Sequence, residues 1–258
     1  MSRNDKASEI AADLERRIRS GEFAPHERIP TVAALAAQYA IAQNTAHAAV
    51  KALARRGLVT SVRSYGTVVR DWRRPRQVQR RRAVYRDEQG FYFDPLAKDW
   101  RAVAPSHIAW EPAKDYIAEL LGIDAGSEVL IRERVSGDET EIAPGRRHIT
   151  PQQVCTTTVP ADIARQLDLG AKDTGPGGVL CRIEAEFGPV TFDEVTYVRF
   201  PTEEEAVQLQ LGSGDVPILG IAVTLSDSAG RIAACNDYRM DGRRWMISHP
   251  LKRTRSAK

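Results

Sequence analysis

The chain has 258 residues, 42% of them hydrophobic and 28% charged, with a net charge of +3. That balance excludes a disordered, collagen-like or disulfide-dense chain and leaves room for one large or two ordinary globular domains. The small net charge conceals a division: residues 1–83 hold 17 Lys and Arg against 7 Asp and Glu, and the remainder holds 20 against 27. A basic head on an acidic body points to a polyanionic partner for the head and other duties for the body.

Along the head, Ile10, Leu14 and Ile18 recur every four residues beside Ala7 and Ala11, one apolar face of a helix that Gly21 stops. Pro25 and Pro30 keep the next stretch extended. Thr31 stands at an N-cap position, and Val32–Tyr39 reads as a short second helix with Leu35 inward. Ala40, Ile41 and Ala42 form a turn into a third helix, Gln43–Arg56, with Ala46, Val50 and Leu53 at helical spacing and Gly57 as its end. Two β-rich runs follow, Val59–Val62 and Thr67–Val69, joined by Arg63-Ser64-Tyr65-Gly66. Helix, helix-turn-helix and hairpin in that order predict a winged helix-turn-helix domain over residues 1–70, with double-stranded DNA as its partner. The third helix should present Gln43, Asn44, Thr45, His47 and Lys51 to a groove. Thr31 and the wing residues Arg63, Ser64, Tyr65, Gly66 and Thr67 complete the expected DNA-binding set.

Residues 71–86 read as an arginine-rich linker. From Arg70 to Arg86 eight arginines face one aspartate, Pro75 interrupts, and apolar periodicity is missing. These arginines, Arg80, Arg81 and Arg82 among them, either neutralise DNA phosphates or pair with the acidic body. The body is expected over residues 87–250, followed by a basic tail at 251–258. Phe91-Tyr92-Phe93-Asp94 and Trp100 are positioned to pack the linker onto it. A helix at Ala113–Leu121 ends at Gly122. Strand-like runs follow at Glu128–Val135, Gln153–Val159, Val179–Ala185, Val190–Arg199, Ile218–Ser226 and Arg231–Met240, with helices at Asp162–Leu167 and Thr202–Leu211. Mostly hairpin-like connections predict an α+β fold with an antiparallel sheet.

Cys155, Cys181 and Cys235 are odd in number, widely spaced and outside any C-x-x-C or zinc pattern, so reduced apolar roles are expected and no metal or cofactor. The chain's start has no apolar signal segment, and the longest apolar run, Ile218–Leu225, is too short to span a bilayer. A cytoplasmic protein without a membrane partner is expected. His107, His148 and His249 sit in no nucleophile motif, and no G-x-S-x-G or paired-carboxylate signature occurs, so no catalytic residue is assigned and an enzyme is not expected.

The head motifs I-x(3)-L-x(3)-I-x-S-G-E, R-I-P-T-x(3)-L-A, N-T-A-x-x-A-V-x-x-L-x-x-x-G-L-V and Y-G-T-V-V together resemble the GntR family of bacterial transcription regulators. Against that family's usual pattern, arginines are replaced by Ala33, Gln43 and His47, and the turn serine by Ala42. The resemblance thus implies an operator unlike the common family sites, since Gln favours the adenine edge where Arg grips guanine. In the body, A-x-x-L-L-G-I-x-x-G-S-E-V-L-I-R-E-R-V, T-T-T-V-P-A-D-I-A and R-F-P-T-E-E-E-A-x-x-L-x-L-x-x-G-x-x-P-I-L-G-I resemble the UTRA effector domain of the HutC branch, which has a chorismate-lyase-like fold. That resemblance implies a homodimer and a small anionic effector held by Arg132 and Arg134, with hydroxyls from Thr156 and Thr158. Ala234 and Met240 stand near where sugar-sensing members place a glutamate and a tyrosine, so the effector's identity stays open. The function implied is a repressor released from operator DNA by its effector. A repressor whose body only dimerises is the alternative, and a lyase-like enzyme the remote one.

Overall fold

The computed structural model describes residues 3–71, 76–79, 85–86, 92–93, 99–170, 174–175, 178–211 and 216–248. Phe91, Asp94, Arg80, Arg81, Arg82, His249 and the basic tail lie outside the described residues. The head comprises α1 (Arg3–Ser20), α2 (Val32–Gln38), α3 (Gln43–Arg55), β1 (Val59–Val62) and β2 (Gly66–Val69). The four-residue apolar spacing of α1 buries Ile10, Leu14 and Ile18 against Ala46, Ala49, Val50 and Leu53 of α3, with Leu35 of α2 completing the core. Thr31 caps α2, its hydroxyl accepting from the Ala34 amide at 3.2 Å. The wing is an antiparallel hairpin with Val62 opposite Gly66, and Ser64 at its tip takes a positive φ of 58°. The extended stretch before α2 joins it through a bridge between Arg28 and Val68.

The connector and body continue with β3 (Arg76–Gln79), β4 (Tyr85–Arg86), β5 (Tyr92–Phe93), β6 (Arg101–Ala102), β7 (His107–Pro112) and α4 (Asp115–Leu121). Then come β8 (Glu128–Ala143), β9 (Arg146–Pro160), α5 (Ala161–Gln166), α6 (Gly178–Phe187), β10 (Thr191–Arg199), α7 (Glu203–Gln208), β11 (Ile218–Ser226), β12 (Ile232–Asp241) and β13 (Trp245–Ser248). The body is a seven-stranded antiparallel sheet in the order β10-β11-β12-β9-β8-β6, with β7 also on β8. One face packs on α5 and α6 through Leu130, Val159, Ile163, Ile183 and Leu225. The other packs on α4 through Val129 and Ile117, and on α7 through Val154 and Leu209. The expected α+β architecture with an antiparallel sheet is the observed one.

Three expectations need correction. Val179–Ala185, rich in β-branched and apolar residues, is part of helix α6. Val179, Leu180 and Ile183 bury one helical face while Arg182, Ala185 and Glu186 are exposed, which is the 3.6-residue period. Within the arginine-rich connector, Arg76–Gln79 forms a parallel pair with Trp245–Ser248, a partner far away in sequence that local periodicity does not reveal. The strands around residues 128 and 153 extend to Ala143 and back to Arg146, because the polar run between them makes an arm that packs on the head rather than on the core.

The arm bends at Gly137, where the register shifts by a bulge; a Cβ there would lie 1.9 Å from the Thr150 carbonyl oxygen. Trp100, as expected, packs on the body, edge-on to Trp245 with ring centroids 5.8 Å apart.

A buried ionic network ties α7 to the sheet. Glu205 accepts two hydrogen bonds from Arg199 at 2.7 Å each, one from Arg239 at 3.0 Å and one from the Thr202 amide at 2.8 Å. Although burial opposes the charge, the Arg199, Thr202 and Arg239 donors hold its carboxyl at about 2, against an ordinary 4.5. A depressed carboxyl stabilises the fold above its unfolded value and loses that contribution as pH falls toward the folded one. Stability should therefore drop through the window from 4.5 down to about 2. Glu205→Gln should cost about 3 kcal/mol at neutral pH, because two guanidiniums lose their charge partner. Urea unfolding at neutral and acidic pH checks this, with a much smaller acid-induced loss expected in the variant.

Candidate DNA-binding face and effector site

On α3, Gln43, His47 and Lys51 follow one another at four-residue intervals and are exposed, as is Asn44. Thr45 is 5% exposed and turned into the head core with Ala46 and Ala49, so its side chain lies away from this stripe. Thr31 is exposed, its hydroxyl occupied in capping α2. Ala42 is the N-cap residue of α3 and makes no side-chain capping bond. Of the wing residues, Arg63, Ser64 and Gly66 are exposed while Tyr65 and Thr67 are half-buried.

The wing tip is held by the end of the β8–β9 arm. Tyr65 donates its hydroxyl to the Ile142 carbonyl at 2.7 Å, and Arg146 donates to the Arg63 carbonyl at 3.0 Å. The Tyr65 ring has guanidiniums at 4.9 Å from the head's Arg28 and at 5.0 Å from the body's Arg146. Arg28 was not among the expected site residues; its clue was its place in the R-I-P-T motif. Two further contacts join head and body: Thr60 to Gln210 at 2.8 Å, and Arg243 to the Arg55 carbonyl.

Strand pairing decides which residues of the body share a face. Arg132 stands opposite Thr157 and Arg134 opposite Cys155, whereas Thr156 stands opposite Glu133 and Thr158 opposite Ile131. Side chains alternate along a strand, so Arg132 and Arg134 share a face with Thr157, and Thr156 and Thr158 lie on the other. On that other face Thr156 donates to Glu133 at 2.9 Å and accepts from Arg239. Beside it Asp237 accepts from the hydroxyls of Tyr116 and Tyr197 at 2.6 Å each. Burial and the Asp237 charge push both phenols well above their ordinary value.

The arginine face has a polar middle between two apolar clusters, one under α5 and α6 and one around Trp100, Met240 and Trp245. Arg132 is 5% exposed and donates to the Gly175 carbonyl at 2.9 Å. Thr157 donates to Asn236 at 2.7 Å. Glu128 on the same strand pairs with Arg165. Cys155 and Cys235 are buried and Cys181 half-buried, and none of the three forms a disulfide; burial raises the first two thiols, Cys235 to about 12. Among the described residues, no group of three or more His, Cys, Asp or Glu could hold a metal ion, and no helix is long and apolar enough to cross a membrane.

A helix-turn-helix with an exposed second helix and a flanking wing defines a DNA-binding protein. Residues 6–69 match the family described as bacterial regulatory proteins, gntR family. An uncharacterised HTH-type transcriptional regulator of Streptomyces coelicolor is 27% identical over 225 residues, covering 81% of this chain and 79% of that protein. A crystal structure described as a candidate GntR-family transcriptional regulator is 26% identical with a TM-score of 0.55, covering 96% of this chain and 98% of that one. The head is thus similar to the gntR family over residues 6–69, and the chain is similar along most of its length to two proteins described as transcriptional regulators.

The uncapped start of α3 is directly testable. Ala42 already has the extended backbone of an N-cap, φ −67° and ψ 145°. Ala42→Ser should therefore stabilise the head by about 1 kcal/mol, read as a rise in melting temperature. An unchanged or lowered value would show that the amides at the start of α3 need no cap.

Proposed function

We propose that the protein is a homodimeric cytoplasmic repressor of the HutC type, released from its operator when its UTRA body binds a small anion. The observation that carries this reading is the wing-tip contact. Tyr65 and Arg63, expected at DNA, are engaged by the body's arm, so body and DNA compete for one surface. An effector that favours the engaged arrangement must weaken DNA binding, and DNA must weaken effector binding by the same factor.

For DNA, the reading assigns base contact to Gln43, Asn44 and His47, with Lys51, Thr31, Arg63, Ser64, Tyr65, Gly66 and Thr67 along the phosphates. Thr45 acts by packing α3. For the effector, Arg132 and Arg134 suit one phosphate or carboxylate because they are two residues apart on one strand face. Thr157, not Thr156 or Thr158, shares that face, with its hydroxyl donating to Asn236.

Dimerisation is supported by β10. It ends the sheet in the described strand order, and Val195 and Val198 on it, with Phe200 just beyond, are 51%, 68% and 65% exposed. Open apolar sheet edges are seldom left unprotected. A two-fold dimer would read a palindrome.

Fluorescence anisotropy on the DNA upstream of the gene tests the DNA assignment. Lys51→Ala should weaken binding across sequences and reduce the salt slope by about 1, whereas Gln43→Ala should cost about 1–3 kcal/mol and relax preference at one base pair. Equal, sequence-independent losses in both variants would remove Gln43 from base reading. A thermal-shift screen of anionic metabolites tests sensing: the effector should stabilise the wild type, release DNA, and lose both effects in Arg134→Ala. No hit across a broad panel would favour a repressor whose body only dimerises.

A further inference from the structure

Between head and body lies a cleft built from both. The head contributes His26, Thr60 and Arg70, and the arm and its neighbour contribute His148, Gln152 and Arg244. Arg70 is the unusual member. It is 3% exposed, and among the described residues none of its three side-chain nitrogens has a hydrogen-bond partner.

Its nearest carboxylate, Asp241, lies 3.9 Å away and is already engaged by Arg243 through its side chain at 2.9 and 2.7 Å and its amide at 3.0 Å. A buried guanidinium without acceptors is costly, and its fork geometry matches an oxyanion. Burial and the nearby Arg244 and Arg243 lower its pKa to about 10, which still leaves it cationic at neutral pH. Among the described residues, Nε2 of His148 and Oε1 of Gln152, also buried in the cleft, have no hydrogen-bond partner. The first can donate to or accept from a ligand, and the second needs a donor. Asp71 and Asp138 also line the cleft, which disfavours a large polyanion and suits a small one that carries a proton or hydroxyl.

We propose that this cleft binds a small hydroxyl-bearing oxyanion, hydrogen phosphate being the simplest, at a site separate from Arg132 and Arg134, and that its occupant holds the head against the β8–β9 arm. Its oxygens accept from Arg70 while its hydroxyl donates to Gln152. Because one wall is head and the other is arm, the occupant bridges the two.

The test uses the full chain with inorganic phosphate, against chloride at equal ionic strength. Calorimetry should show phosphate binding that weakens by about tenfold or more in Arg70→Met and in Gln152→Leu, and persists in Arg134→Ala. Circular dichroism establishes that each variant is folded, and Gln152→Leu serves if Arg70→Met is not. In the wild type, hydrogen exchange over residues 62–69 should slow on adding phosphate, and in Gln152→Leu it should not. No phosphate binding, binding lost only in Arg134→Ala, or binding with unchanged exchange at the wing would each overturn the proposal. Persistence of binding in Arg134→Ala separates this site from the effector reading above, which fails or stands on the metabolite screen.

Discussion

One antiparallel pair, β8 with β9, is the constraint on which the rest of the molecule depends. Its inner half is the middle of the body sheet and fixes which residues can meet: Arg132 with Thr157 on one face, Glu133 with Thr156 on the other. Its outer half leaves the sheet and grips the wing at Tyr65 and Arg63. On either side of the bulge at Gly137 the pair is held in register by its ladder of hydrogen bonds. The arginine face and the DNA-binding head are therefore joined by one continuous element.

The two faces of the sheet have opposite character. The Glu205, Arg239 and Asp237 face is closed, with each charge bonded to partners on α7, β10 or α4. Its role is structural, tying helices to the sheet. The Arg132 face holds polar groups, Arg132 and Thr157 buried and Arg134 half-buried, between two apolar clusters. A buried polar network whose charges are paired among its own members has little to offer a ligand, whereas a polar strip framed by apolar walls is how small-molecule sites are generally lined.

Much of the head was legible in the chain because its signals are local. Ile10, Leu14 and Ile18 repeat at helical spacing, Thr31 stands at a cap, and Gly66 supplies the φ of 123° at the start of β2. In the body, apolar runs and turns sufficed for an antiparallel sheet. They failed where the deciding partner is distant. Val179 and Ile183 have strand-like side chains, yet the groove they fill against Ile163 and Leu225 makes them helical. The parity of Thr156 and Thr158 relative to Arg132 depends on register across two strands, which no single-strand pattern contains. The same holds for Arg76–Gln79, whose partner is Trp245–Ser248, and for Arg70, whose burial depends on the docking of head and body. The wing tip was legible as a hairpin but not as an intramolecular contact, since Ile142 and Arg146 are remote in sequence.

The bend at Gly137 turns the arm into a lever. From that bulge to the tip near Ala143 the strand runs about 20 Å, so a pivot of about 10° at the bulge displaces the tip by about 3.5 Å. That exceeds the tolerance of the Tyr65 hydrogen bond. A slight change of angle at the bulge would thus be enough to make or break the grip on the wing.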